Sequence, residues 1–165
     1  MCAPTRQGPA RAEWGTMESS DEAPASTPFQ MTIERGKIRE FAQATKSKNP
    51  DYLSAEAPVS PTTFLVTSTF WQDPDSHRVG GGFASYDRIL HGAQEYIFFG
   101  EPPRAGTTLT VQSRPGRVYE KTGRRGGVMT FHELVTEYRD ETGLLVAESR
   151  GTVIETSRPP SGGPA

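Results

Sequence analysis

The sequence predicts an α+β domain, with helices early in the chain and an antiparallel sheet after them. Residues 34–45 repeat apolar side chains with the period of a helix, whereas the second half of the chain is rich in Val, Ile, Thr, Tyr and Phe. Short clusters of turn residues divide that second half. Because parallel strands need a crossover of a dozen or more residues, neighbouring strands are expected to pair antiparallel.

The first predicted helix spans residues 34–45. Its apolar face carries side chains at i, i+3, i+4 and i+7, namely Ile38, Phe41, Ala42 and Thr45. We expect Asn49-Pro50 to end this helix, because the residue before a proline is pushed out of the helical region.

The segment SPTTFLVTSTFW, residues 60–71, combines features of a strand and of a helix. Its β-branched residues favour a strand. Ser60 as an N-cap and Pro61 at the first helical position favour the start of a buried helix. We interpret the segment as a helix that is apolar on most sides.

Four segments of the second half are predicted strands, at residues 88–99, 107–118, 128–138 and 144–155. The turn clusters EPPRAG, KTGRRGG and DETG separate them. Each segment has about twice the usual strand length of ~5–6 residues, which indicates a strongly curved sheet. The helix at 60–71 is the element that such a sheet is expected to wrap.

The two ends of the chain differ in composition from its middle. Residues 1–28 and 157–165 are rich in Pro and small residues, and they cannot bury enough apolar surface to offset the entropy lost on ordering. We therefore predict a disordered leader over 1–28, one folded domain over 29–156 and a disordered tail over 157–165.

Cysteine, histidine and hydropathy patterns exclude several classes of protein. Cys2 is the single cysteine, which excludes an internal disulfide and a Cys-based metal cluster. His77, His91 and His132 are widely separated, so we expect no metal site, and His77 and His132 are expected to be incidental. Neither a secretory signal nor a run of about 18 apolar residues is present, so we expect a soluble, cytoplasmic protein without a cofactor.

Positive charge is concentrated in residues 104–125, although the net charge of the chain is −2. With Glu120 as the one acid, the local balance is 6 − 1 = +5, from Arg104, Arg114, Arg117, Lys121, Arg124 and Arg125. Such a patch either attracts phosphates or an acidic protein surface, or is a solvated hairpin face without a ligand. No nucleic-acid-binding motif accompanies the charge, so nucleic acid is not expected as a partner.

Four segments resemble the hot-dog fold of the MaoC-like dehydratases: GKIREFAQATKSKNPDY (36–52), PTTFLVTSTF (61–70), RILHGAQEYIFFGEPPRAGTTLTV (88–111) and RGGVMTFHELVTEYRDETGLLVAESRGTVI (125–154). Within that family the chain is similar to the N-terminal half of two-domain members and to the accessory subunit of heterodimeric (3R)-hydroxyacyl-ACP dehydratases. The resemblance implies a single hot-dog domain, in which a curved antiparallel sheet wraps a long central helix.

The resemblance also identifies an altered catalytic turn at Asn49-Pro50. Catalytic members of the family carry an Asp two residues before the Asn and a His three residues after it, and here those positions hold Ser47 and Tyr52. Positioned acids and bases typically accelerate such proton transfers ~10²–10⁴-fold, and serine and unactivated tyrosine are poor substitutes near neutral pH. The alternative is an ordinary loop that ends a helix.

The resemblance further implies an acyl channel lined by Pro61, Thr62, Thr63, Phe64, His91, Gly92 and Gln94. First-turn N–H groups at Thr62 and Thr63 are expected to hold an anion or a thioester carbonyl, unless these residues simply cap the helix. Strict alternation along a strand places His91 on the opposite face from Gly92 and Gln94. A structural histidine at a dimer seam is the alternative role for His91.

Taken together, the resemblance implies a non-catalytic or weakly catalytic subunit of a dehydratase, or in reverse a hydratase, that acts on (3R)-hydroxyacyl or enoyl thioesters. A MaoC-like partner would supply Asp and His, and acyl carrier protein or CoA would carry the substrate. One alternative is a homodimeric dehydratase or thioesterase that uses His91, Glu95 or Glu133. Another is a non-enzymatic ligand-binding or assembly module. The loop 72–87, which contains Gly80 to Gly82, is either a lid over the channel or a simple insertion.

Overall fold

A computed structural model describes residues 25–72, 88–123 and 127–157. The elements in chain order are β1 (Phe29–Thr32), α1 (Arg35–Ala44), α2 (Pro50–Leu53), the 3₁₀ helix η1 (Phe64–Phe70), β2 (Ile89–Phe98), β3 (Thr108–Thr122), β4 (Val128–Arg139) and β5 (Leu145–Thr156). Predictions about His77, about most of the 72–87 loop, about Arg124 and Arg125, and about residues 1–24 and 158–165 lie outside this range. Within it, no helix is long and apolar enough to cross a membrane.

The strands form one antiparallel sheet in the order β1-β3-β4-β5-β2. The α+β prediction is confirmed, and β2 to β5 match the four predicted strands, with β3 running on to Thr122. β1 was not predicted, because its four residues are too few to show a clear period. The described backbone just before β1 also contacts the sheet, since the Ser26 N–H donates to the Ser113 carbonyl at 2.7 Å.

The prediction that all neighbouring strands pair is wrong for β2 and β3, which β4 and β5 separate in the sheet. The connecting residues 99–107 do not close a hairpin, because their backbone binds other segments. The Ser60 N–H donates to the Pro103 carbonyl and the Ala105 N–H to the Pro58 carbonyl, both at 2.9 Å. The connection therefore crosses one end of the sheet and fastens the chain that leads into η1.

A bulge bends β2 at Gly92. The pairing of β2 with β5 shifts between His91 and Ala93. A Cβ atom at Gly92 would lie 2.9 Å from Ile154 Cδ1, so only glycine fits there without displacing that side chain. A second shift, over residues 115–118, interrupts the pairing of β3 with β4. These irregularities add curvature to strands that are already long.

The hydrophobic core lies on one face of the sheet, which we call the inner face. Val111, Tyr138 and Ala147 are opposite one another on β3, β4 and β5, so their side chains share this face. α1 and η1 cover it. The buried cluster comprises Met31, Ile33, Ile38, Phe64, Leu65, Leu109, Val111, Tyr138 and Ala147.

α1 ends in a Schellman motif whose left-handed residue is a lysine. The Ser47 N–H donates to the Ala42 carbonyl at 2.8 Å, and the Lys46 N–H donates to the Gln43 carbonyl at 3.0 Å. Lys46 has a φ of 57°, a conformation that glycine usually takes because a Cβ atom is crowded there. The helix therefore ends through its own backbone hydrogen bonds.

The prediction that Asn49-Pro50 ends the first helix is wrong, because this pair begins the next helix, α2. Asn49 is its N-cap, and Asn49 Oδ1 accepts a hydrogen bond from the Asp51 N–H at 3.0 Å. Pro50 takes the first helical position, where its missing N–H has no helical partner in any case.

The segment 60–71 is helical as predicted, but the expected long central helix is wrong for this segment, because it forms only the seven-residue 3₁₀ helix η1 and does not start at Ser60. The hydroxyls of Thr67 and Thr69 donate to carbonyls three residues earlier, at 2.8 and 3.1 Å, which favours the tighter 3₁₀ turn. The predicted N-cap is wrong: Ser60 is fully buried, and its hydroxyl has no hydrogen-bond partner among the described residues.

A buried hydroxyl network attaches η1 to the sheet. The Tyr138 hydroxyl donates to the Leu65 carbonyl at 3.2 Å and shares a hydrogen bond of 3.1 Å with the Ser68 hydroxyl. Burial raises the pKa of Tyr138, because the phenolate would lose its hydration. The neutral Tyr138 side chain therefore binds η1 at two points, Leu65 and Ser68.

We predict that Tyr138→Phe lowers the free energy of unfolding by about 1–2 kcal/mol, because it leaves the Leu65 carbonyl and the Ser68 hydroxyl buried without this partner. Tyr119→Phe is the matched control, since Tyr119 lies on the outer face against Phe131 and should change stability by no more than about 0.5 kcal/mol. Urea unfolding monitored by circular dichroism measures both. Equal effects of the two substitutions would contradict the anchoring role of Tyr138.

We predict that Lys46→Gly raises the free energy of unfolding by about 0.5–1 kcal/mol, because glycine adopts the left-handed conformation without strain. Lys48→Gly removes the same side chain two residues away, where φ is not positive, and should be neutral or destabilising. The urea midpoints of the two variants distinguish relief of backbone strain from loss of a positive charge.

Candidate functional site

The Asn-Pro turn that resembles the catalytic turn is held by hydrogen bonds within the turn itself. The Ser47 hydroxyl accepts a hydrogen bond from the Asn49 N–H at 3.3 Å, and the Asn49 side chain in turn caps α2. The Tyr52 ring is partly buried and packs against the core cluster. The turn thus has a fixed shape, but the two positions of interest carry a hydroxyl and a packed phenol.

The predicted channel residues at the start of η1 divide into two kinds. Pro61 and Phe64 are buried, and Phe64 meets Phe41 edge to face with ring centroids 5.6 Å apart. Thr62 and Thr63 are exposed, but they precede η1, so their placement in its first turn is wrong. The Phe64 N–H already donates to the Pro61 carbonyl at 2.9 Å, which leaves it no capacity to hold an anion.

The bulge at Gly92 overturns the prediction that His91 faces away from Gln94. His91 is opposite Val153 and Gln94 is opposite Gly151, and these two residues of β5 share a face because they are two apart. Gln94 Oε1 lies 3.2 Å from the Cβ position of Gly151, as expected for a side chain over that glycine. His91 and Gln94 are therefore exposed on the same, inner side of the edge strand β2.

An ion-paired cluster that sequence reasoning missed lies on the same face, near the end of β5. Glu155 Oε1 is 3.0 Å from the Arg88 guanidinium, and Glu155 Oε2 is 3.8 Å from His132 Nε2. Register brings His132 opposite Val153, which is also opposite His91. His132 thus lies beside a carboxylate of the neighbouring strand. More than sixty positions separate Arg88 from Glu155, so no local motif signals the pair.

Buried hydroxyls form a row across the inner face between this cluster and the apolar core. Ser113, Thr136, Ser149 and Tyr96 are successive cross-strand neighbours on β3, β4, β5 and β2. The Ser113 and Thr136 hydroxyls are 2.8 Å apart, and burial raises the pKa of Tyr96 to about 12. The row supplies hydrogen bonds but no group that exchanges protons near neutral pH.

The predicted basic patch does not form one cluster within the described residues. Arg104 precedes β3 and Lys121 lies near its far end, separated by roughly 40 Å of strand at about 3.3 Å per residue. The three described arginines of this patch each lie beside a carboxylate: Arg104 at 2.9 Å from Glu101, Arg114 at 3.6 Å from Glu137, and Arg117 at 2.9 Å from Glu133. The Lys121 ammonium lies 5.1 Å from the ring centroids of both Tyr119 and Phe131.

The two carboxylates considered as alternative catalytic groups face outward. Glu133 accepts two hydrogen bonds from the Arg117 guanidinium, at 2.9 and 3.0 Å, which commits both of its oxygens. Glu95 is exposed and lies opposite Arg150 on β5. Alternation places Glu95 on the other side of β2 from Gln94 and His91, so neither Glu95 nor Glu133 forms an acid-base pair with His91 in the described structure.

A cavity of about 410 Å³ separates α1 from η1. Its walls are largely apolar and include Phe41, Phe64, Phe70 and Trp71, and the Lys37–Glu40 ion pair belongs to its lining. Phe70 is 86% exposed, so this side of η1 is open in the described structure. The cavity is large enough for a small acyl group.

Comparison with known proteins identifies a family. The family model of the FAS1-like dehydratase domain region matches residues 23–149, most of the chain. A UPF0336 protein of Streptomyces coelicolor is 36% identical over 101 residues, covering 54% of this chain and 63% of that protein. The chain therefore spans somewhat less than two thirds of the length of this relative.

Solved structures establish the fold. The HadBC (3R-hydroxyacyl-ACP dehydratase) complex of Mycobacterium tuberculosis matches with a TM-score of 0.56 and 22% identity, covering 78% of this chain and 95% of that one. The ChsH1–ChsH2 complex of the same organism matches with a TM-score of 0.59 and 16% identity, covering 85% and 87%. The predicted hot-dog fold is confirmed, and the chain belongs to the family of the FAS1-like dehydratase domain region.

Proposed function

We propose that this chain is the non-catalytic or weakly catalytic subunit of a heterodimeric (3R)-hydroxyacyl-thioester dehydratase, which in reverse hydrates enoyl thioesters. A MaoC-like partner chain supplies the catalytic Asp and His. The observation that carries the proposal is the Asn-Pro turn, whose backbone is held by hydrogen bonds of Ser47 and Asn49. Ser47 and Tyr52 lie where the family resemblance expects the acid and the base.

The dehydration reaction explains why Ser47 and Tyr52 at these positions matter. Elimination of water from a 3-hydroxyacyl thioester requires removal of the α-proton and protonation of the departing hydroxide. The Ser47 hydroxyl accepts a backbone hydrogen bond, and Tyr52 packs on the core, so neither is arranged as a proton carrier. A chain with these residues gains the reaction by associating with one that has an acid and a base.

Among the described residues, His132 lies beside one carboxylate, that of Glu155. The closest approach is 3.8 Å, between His132 and Glu155, and Glu155 is already paired with Arg88. Glu133 is held by Arg117 in the same way. These ion pairs favour the accessory role over a homodimeric enzyme built on His91, Glu95 or Glu133.

The contribution of this subunit is to support the fold and line the acyl channel. His91 and Gln94 project from the inner face of an edge strand, and Thr62 and Thr63 are exposed just before η1. The substrate is the acyl thioester of CoA or of an acyl carrier protein. The similar HadBC and ChsH1–ChsH2 structures are both complexes, which supports a partner of the same kind.

We predict that the purified single chain does not hydrate crotonyl-CoA above background, whereas co-expression with a MaoC-like chain that has the intact Asp and His yields a hydratase. The absorbance of the enoyl thioester at 263 nm measures the rate. The matched control is the same complex with the partner's catalytic His replaced, which should lose activity. Full activity of the single chain would refute the accessory role.

We predict that Ser47→Asp combined with Tyr52→His gives the single chain measurable hydratase activity, because the Asn49-Pro50 turn already presents both positions. The activity should remain well below that of the complex, since the pKa values of the new groups are not tuned by their surroundings. Ser47→Asn with Tyr52→Phe is the control of similar size without an acid or base. An inactive double variant with an unchanged circular dichroism spectrum counts against the assignment of these positions.

A further inference from the structure

In the part of the chain that the structure describes, α1 and the turn after it carry more positive charge without an ion-pair partner than β3 does. Residues 35–48 hold five basic side chains and one acid, Glu40, a local balance of 5 − 1 = +4. Glu40 pairs with Lys37 at 3.0 Å. The remaining members, which we call the α1 stripe, are Arg35, Arg39, Lys46 and Lys48.

The α1 stripe differs from the basic residues of β3 in exposure and in partners. All four of its residues are exposed, and none has a carboxylate within 4.0 Å in the described part of the chain. The arginines at 104, 114 and 117 each lie beside a glutamate. Charge that is not neutralised within the chain is free to attract an external anion.

The α1 stripe extends along α1 to the Asn49-Pro50 turn. Arg35 and Arg39 are at i and i+4, on one flank of a helix about 15 Å long. Lys46 continues from the helix terminus, and Lys48 lies between Ser47 and Asn49. An anionic surface bound to the stripe would therefore lie beside the Asn-Pro turn.

We propose that the α1 stripe docks the acidic surface of a carrier protein that delivers the acyl thioester. The inference rests on the proposed function and assigns its carrier. A single phosphate is usually held by donors that converge on it, such as backbone N–H groups or an arginine fork. The four basic residues are instead spread along a helix about 15 Å long and the turn after it, a length that suits several carboxylates of a partner surface rather than one phosphate.

The backbone of Lys46 is consistent with this role. A lysine at a left-handed position, where glycine is preferred, places a positive charge at the junction of α1 and the candidate turn. The strain is thus located at the proposed contact.

The experiment compares one acyl group on three carriers. The complex with the MaoC-like chain is assayed with crotonyl thioesters of a holo acyl carrier protein, of CoA and of N-acetylcysteamine, which has neither a protein surface nor phosphates. For Arg35→Glu with Arg39→Glu, we expect the kcat/KM for the carrier-protein thioester to fall at least tenfold relative to that for the N-acetylcysteamine thioester. The corresponding ratio for CoA should change less than threefold.

A charge-matched control variant tests whether the loss of kcat/KM depends on the α1 stripe. Arg104→Glu with Lys121→Glu changes the net charge by the same amount, and should alter the carrier-protein ratio less than threefold. An equal fall in this variant, or an equal fall with CoA, would overturn the proposal in favour of general charge or phosphate binding.

Direct binding separates failure of this proposal from failure of the proposed function. Fluorescence anisotropy of a labelled carrier protein, titrated with the full-length chain at 50 and 300 mM salt, should show weaker binding at high salt and at least tenfold weaker binding to the Arg35→Glu, Arg39→Glu variant. A complex inactive on all three thioesters contradicts the proposed function alone. Unchanged anisotropy in the variant contradicts the docking surface alone.

Discussion

The Tyr138 hydroxyl is the contact on which the arrangement of the helical side depends. It binds both the Leu65 carbonyl and the Ser68 hydroxyl, so η1 cannot leave the inner face without stranding buried polar groups. The chain entering η1 is fastened in turn to the connection between β2 and β3, through hydrogen bonds of Ser60 and Ala105. One buried network therefore fixes η1, the course of the chain before it and the end of the sheet.

The elements whose apolar side chains repeat with a clear period over ten or more residues were predictable from the sequence. α1 and the four long strands appear within a few residues of their predicted bounds, because each has one buried face that the sequence must repeat. η1 was harder, since the hydroxyls of Thr67 and Thr69 select the 3₁₀ turn through bonds that a hydrophobic pattern does not report. The crossing from β2 to β3 was missed because its partners are distant residues before η1.

The candidate site shows the same division between local and long-range information. Ser47 and Tyr52 were placed by a short motif, and the structure holds that motif as a defined turn. The side of His91 was predicted wrongly because one bulge at Gly92 reverses the alternation. The basic patch was overestimated because Glu133 and Glu137, which pair with arginines of β3, belong to the next strand and lay outside the counted segment.

Charged side chains form ion pairs on the sheet, whereas most basic side chains of α1 do not. Hydration explains the difference. On the sheet, partly buried ions such as Arg88 and Glu155 are paired, because an isolated charge there would lose hydration without compensation. On α1, full exposure keeps each cation hydrated, so leaving it unpaired costs little. The non-catalytic subunit that we propose needs no buried, unpaired acid or base. Its functional charges are then expected where hydration is retained and a partner can still reach them, which is the outer flank of α1 and the turn beside Ser47.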